Sequence, residues 1–231
     1  MPNWCSNHLA CSGPRAAVTS FLGVVTQRGT FVSEVLTAAE NIDPAHAGSI
    51  TRAVLESFSG NENFSFNGHI PEPSLEGEGW YDWRITNWGT KWDANNPVLE
   101  QLELNDEGLS TAVFSFETAW GPPNVWLEKV AQTHPDLDFR MFWNEEQGYG
   151  GLFVSTDGDL LHQDMEWKEL MAAWPDAPYA PYGEREDEED SDEEDSDEED
   201  SDDNTTAAPA TQPLTTLVMR PVLGPPSGIP L

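Results

Sequence analysis

Cys5, His8 and Cys11 stand three residues apart, and two thiols with an imidazole are donors that a zinc ion takes. The surrounding pattern argues against that use. Residues Trp4 to Ser12 set Cys5, Asn7, Leu9 and Cys11 against Ser6, His8, Ala10 and Ser12, the period-2 alternation of a strand. In a strand positions 5 and 11 share a face while position 8 points to the other. Six extended residues also hold the two thiols roughly 20 Å apart, too far for one metal or a disulfide. Two buried core thiols and no metal are the expected reading. Glu145-Glu146 ahead of Gly148 could do acid–base chemistry, but a solvated turn explains them more simply. His134 precedes Pro135 at an expected helix end, where capping suffices. Catalytic signatures such as Gly-x-Ser-x-Gly, His-Glu-x-x-His or a phosphate-cradling glycine loop are absent from the sequence. A non-enzymatic role without a cofactor is therefore favoured.

The other chemistry-bearing group is aromatic. Trp80, Trp83, Trp88 and Trp92 fall within thirteen residues, with Arg84 and Lys91 among them. Stacking of bases on such rings needs a basic groove, which two cations do not make. Tyr81, Ile85, Trp88 and Trp92 fall on one face of a helix with a break near Gly89, so Trp88 and Trp92 are expected in the core. Trp4, Cys5 and Trp120 are placed there too. Trp80 and Trp83 lie off that stripe and, with Arg84 and Lys91, form the candidate binding residues. An ion pair of Lys91 with Asp82 or Asp93 is the plainer alternative for that lysine.

The elements positioning these groups follow from periodicity and turn chemistry. After the first strand, Pro14 opens a helix carrying Val18, Phe21, Leu22 and Val25, closed by Gly29. A helix is expected over about Pro44 to Phe58, and residues 60–78 read as loop with a short extended piece at Phe64 to Ile70. Strands follow at Val98–Leu104 and Thr111–Trp120, around a turn at residues 105–108. Pro122-Pro123 opens a helix that stops at His134-Pro135, and Leu137–Trp143 and Leu152–Thr156 are further strands. The order β-α-insert-β-β-α-β-β is that of an α+β ferredoxin-like sandwich: an antiparallel sheet with helices on one face, a Trp-rich insert and one added edge strand.

Charge divides the chain. The formal net charge is -32, and residues 184–203 hold 16 acids and one base in a repeat of Glu-Glu-Asp-Ser-Asp. Such a run is an extended, self-repelling coil, and Ser191, Ser196 and Ser201 within it read as solvating residues. All ten tryptophans precede it. We therefore expect a folded domain over 1–165, a Pro/Trp linker over 166–183, the acidic repeat over 184–203 and a disordered Thr/Pro-rich end over 204–231. The charge opposes binding to nucleic acid or anionic lipid and favours a basic protein. No apolar run approaches the ~18 residues that span a bilayer, and Met1 to Asn7 does not read as a signal peptide. With two cysteines, the expectation is a reducing cytoplasm.

Four phrases occur together in order: Asn3-Trp4-Cys5-Ser6-Asn7, Trp80-Tyr81-Asp82-Trp83, Asn87-Trp88-Gly89-Thr90-Lys91-Trp92, and Thr118-Ala119-Trp120 before Pro122-Pro123. In these the chain resembles the YubB ferredoxin-like family of bacterial plasmids and phages, over residues 1 to about 160. The resemblance implies the ferredoxin-like fold and no iron–sulfur cluster. It implies no particular activity. The first functional reading is an accessory protein of a mobile element or its bacterial host that binds another protein. A nucleic-acid mimic occupying a DNA-binding protein, and an enzyme or small-ligand protein with a pocket at the tryptophans, are the alternatives.

Overall fold

The computed structural model describes residues 3–42, 50, 52–74 and 79–175. Strand β1 (Trp4–Gly13) is followed by helices α1 (Arg15–Val25), α2 (Phe31–Ile42) and α3 (Arg52–Ser57). Two single 3-10 turns, at Asn61–Asn63 and Phe66–Gly68, lead to α4 (Trp80–Trp88). Then come β2 (Asn95–Glu103), β3 (Ser110–Ala119), α5 (Asn124–Thr133), β4 (Asp138–Glu145), β5 (Gly150–Thr156), β6 (Asp159–Asp164) and α6 (Trp167–Ala173).

The six strands make one antiparallel sheet in the order β2-β3-β1-β4-β5-β6. Its first four strands are the ferredoxin-like arrangement, with α1 and α5 as the two crossover helices. β1 is central, pairing Cys5 with Thr118 of β3 on one side and Glu145 of β4 on the other. Its alternation is realised as expected: Cys5, Asn7, Leu9 and Cys11 are buried beneath the helices. The helices bury Val18, Phe21 and Leu22 of α1 and Trp126, Leu127 and Val130 of α5 against that face.

Four expectations need correction. Two strands, not one, extend the sheet past β4, because Asp157-Gly158 turns the chain back into β6 with both residues at positive φ. Helix α2 is an addition: it starts directly on the turn after the first helix, with the Thr30 carbonyl accepting the Glu34 N–H, and it buries Phe31, Val32, Val35 and Ala39. Of the helix expected over residues 44–58 only α3 is found, and residues 44–49 lie outside the described residues.

The fourth concerns the end of the domain. The helices do not keep to one face, and 166–175 is not linker. α6 lies on the opposite face, where Leu170 packs with Phe142 and Leu152, and Trp174 stacks on His8 at 5.7 Å. Gly150 makes room for it, since a Cβ there would fall 2.5 Å from a Leu170 methyl. The acidic repeat and residues 204–231 lie outside the described residues.

Candidate functional site

Helix α4 carries the predicted binding residues in a different phase from the expected one. Its inward side is Trp83, Arg84, Asn87 and Trp88, while Tyr81 and Ile85 face solvent. The helix ends at Gly89, left-handed at φ 82°, whose N–H bonds back to the Arg84 and Ile85 carbonyls. Trp92 is thus not on the helix at all, so extending the four-residue spacing to it has no basis. Trp88 is fully buried as expected, and its Nε1 donates to the Ile70 carbonyl at 3.0 Å. Trp83 meets Trp88 edge to face and is half-buried, whereas Trp80 is exposed.

The two cations of the insert are differently engaged. Arg84 makes a two-pronged pair with Glu72, Nε to Oε1 at 2.8 Å and Nη2 to Oε2 at 2.6 Å, and its guanidinium lies 5.2 Å from the Trp80 and Trp88 rings. That geometry is structural. Lys91 has no carboxylate partner among the described residues. Its ammonium stands 4.9 Å from the centroids of both Trp92 and Trp120 instead, a cation between two π faces. Asp93 is taken up elsewhere, accepting from Ser65, the Phe66 N–H and Asn67.

The first, third and fourth of the sequence phrases converge at one end of the sheet, where β1 begins and β3 and β4 end. A buried polar web ties them. Asn7 Nδ2 donates to the Cys5 and Phe116 carbonyls and to Thr118 Oγ1, which in turn donates to the Gly121 carbonyl at 2.8 Å. Thr90 donates to the Ala119 carbonyl at 3.0 Å, fixing the turn after α4 against β3. Trp4, expected in the core, is half-buried and stacks at a tilt on the half-buried Trp92, 5.8 Å apart.

Trp120 is the clearest departure from expectation. Strand alternation would bury it, yet it is 50% exposed. Its backbone is left-handed, φ 69°, with its N–H donating to the Asn3 carbonyl. That twist takes the indole out of the sheet and aims it at solvent. A bulky residue held in this region costs of order 1–3 kcal/mol, and such positions gather at binding sites.

Beside Trp120 opens a cleft of about 420 Å³, bounded by Asn3, Pro122, Trp143, Glu145 and Tyr149. Tyr149 is 66% exposed at its rim, and Glu145 is only 7% exposed. The expected solvated turn is therefore wrong for Glu145. The tight β4–β5 hairpin, with Gly148 at φ 88° and its N–H on the Glu145 carbonyl, draws that side chain inward. Oε2 accepts the Gln147 N–H at 2.9 Å, and Oε1 has no hydrogen-bond partner among the described residues. The Trp143 indole Nε1 is likewise buried without a partner, lying over Gly151, where a Cβ would come within 2.8 Å of it. Another hollow, about 590 Å³, lies at the opposite end of the sheet between Arg15, Glu40 and Leu104, and no aromatic ring lines it.

Cys5 and Cys11 are 0% and 1% exposed, and neither is in a disulfide. Burial pushes both thiols up to about 12, with the Glu145 carboxylate adding to the effect at Cys5. Both should react slowly with a disulfide thiol reagent in the native protein and at full speed in denaturant. A fast-reacting native thiol, timed by absorbance, would contradict the buried placement. Among the described residues no group of three or more His, Cys, Asp or Glu is placed to hold a metal.

His134 does more than cap. Its Nε2 lies 3.0 Å from Nε2 of His69, which is packed on Phe21 and Trp126. Desolvation, helped by the neighbouring imidazole, lowers His69 to about 4, so the pair is uncharged at neutral pH. The stretch Phe64 to Ile70, expected as a short extended piece, instead holds the 3-10 turn Phe66–Gly68 and buries Phe64 and Phe66. The available signal was two aromatics two apart among glycines and asparagines.

Residues 87–209 match the family described as "Ferredoxin-like domain in Api92-like protein". The fold also resembles the crystal structure of a protein api92 from Yersinia pseudotuberculosis, at 10% identity and a TM-score of 0.42 over 72% of this chain and 99% of that one. No curated protein matches.

Proposed function

The chain belongs to the family of ferredoxin-like domains in Api92-like proteins, and from that premise we propose that it is a non-enzymatic binding module whose partner is another protein. One observation carries this reading: a continuous exposed aromatic surface. Trp80 is 37% and Tyr81 39% exposed, and their rings meet at 5.9 Å. Tyr81 meets Trp120 at 6.4 Å, and Trp120 and Tyr149 border the same cleft. Large rings gathered at a surface mark protein interfaces, because they bury much area for little lost side-chain freedom. The net charge of -32 makes a basic partner the natural one. The finer placement, in the YubB group of plasmid- and phage-borne proteins acting in a bacterial cytoplasm, rests on the four sequence phrases and belongs to the same proposal. No helix among the described residues is long and apolar enough to cross a membrane.

The test compares capture of proteins from bacterial extract by the unaltered full-length chain, one full-length aromatic variant and one deletion. Tyr81→Ala with Trp120→Ala should abolish capture of a specific partner while leaving the melting temperature nearly unchanged, as for exposed side chains. Deletion of residues 184–203 should slow association but leave the complex. Capture lost on that deletion and retained by the aromatic variant would favour the nucleic-acid mimic instead.

A further inference from the structure

Resting on that reading, we propose that the cleft between Trp120 and Tyr149 receives an arginine side chain of the partner protein, its guanidinium paired with Glu145. Three features of the cleft select this chemistry. Its floor is a carboxylate more than nine-tenths buried, with one oxygen held by the Gln147 N–H and Oε1 unpaired among the described residues. A largely enclosed carboxylate with one oxygen open to the cleft pairs with an incoming cation more strongly than a fully exposed one does, and a planar guanidinium matches it with parallel N–H bonds. Its walls are Trp120, Tyr149 and Pro122, and a guanidinium stacks on such rings more favourably than a compact, strongly hydrated ammonium does. No lysine or arginine lines the cleft, so the protein supplies no counter-ion of its own. Lys91 approaches Trp120 without lining the cleft, held against Trp92. A phosphate or an acidic peptide is disfavoured twice, by Glu145 and by the net charge of -32.

The probe is N-acetyl-arginine amide, titrated into the full-length ¹⁵N-labelled protein at roughly 0.15 M salt, where exposed charges are screened beyond about 8 Å. The indole N–H signals of Trp120 and Trp143 should shift saturably. N-acetyl-citrulline amide, the same shape without the charge, should leave them in place. Glu145→Gln preserves shape and the Gln147 contact, and should weaken binding by roughly tenfold or more. Tyr149→Ala, at an exposed position that does not threaten folding, should weaken it as well. Signals that stay still, that follow citrulline equally, that follow N-acetyl-lysine amide equally, or that move unchanged in Glu145→Gln would each overturn the assignment. Partner capture that depends on Tyr81 and Trp120 in a protein that ignores arginine amide would sink this inference and leave the protein-binding reading intact. Arginine binding at Glu145 in a protein that captures no partner would sink the protein-binding reading and, with it, the source assigned to the side chain.

Discussion

Trp88→Ala should cost roughly 3–5 kcal/mol of stability, read as a fall in the urea midpoint with little change in slope. The indole is 0% exposed and stands between Phe66 and Trp83, with ring centroids 5.8 and 5.5 Å away. Its removal leaves a cavity and strips the Ile70 carbonyl of the donor it has at 3.0 Å. The guanidinium of Arg84 would also lose one of its two π faces. Trp80→Ala, eight residues earlier on the same helix, is the contrast: an exposed ring whose loss should stay within about 0.5 kcal/mol. Equal costs for the two would mean that α4 is rotated from the phase described.

Gly68→Ala should be almost as damaging, at about 3 kcal/mol or more by the same measurement. A Cβ at position 68 would lie 2.0 Å from the Val24 carbonyl oxygen and 2.9 Å from its carbon, and these are backbone atoms that no rotamer change can move. Here the segment after α3 docks directly on the end of α1, with the Ser65 N–H bonded to the Val25 carbonyl at 2.9 Å. Pushing it off would lift Phe64 and Phe66 from the core that they share with Phe116 and Trp126. Gly29, with nothing within 4 Å of a Cβ, is the control, and Gly29→Ala should be close to neutral.

These two positions mark where the sequence was and was not legible. The sheet and its two crossover helices were, because β1, β3 and β4 alternate cleanly and proline pairs or turns bound each element. Residues 60–74 were not: their order comes from backbone docking and aromatic packing, which leave no period in the sequence. At the candidate site the phrases around Trp4, Trp88 and Trp120 drew attention to the correct end of the sheet, but not to which rings stay outside. Three local backbone events decided that. The first, the end of α4 at Gly89 before Lys91, was legible as a glycine break; the other two, left-handed Trp120 turning its ring away from the strand's inner face and the Gly148 turn pulling Glu145 inward, were not. Neither of those two alters the apolar–polar pattern, so periodicity could not register them. The alternation put Asn7 on the inner face of β1, but the polar web around it was silent, since its partners Phe116 and Thr118 lie more than a hundred residues away.

The central place of β1 sets the order in which this domain can assemble. The strand nearest the amino terminus pairs with Ser110–Ala119 on one side and Asp138–Glu145 on the other, so neither of its edges closes locally. On the ribosome, where synthesis proceeds at roughly 5–20 residues per second, Trp4–Gly13 waits several seconds for its neighbours. For that interval its backbone N–H and C=O groups have no strand partner. Loop-closure entropy must be overcome before any of these pairings stabilises the chain, which puts the domain among the slower folders of its size.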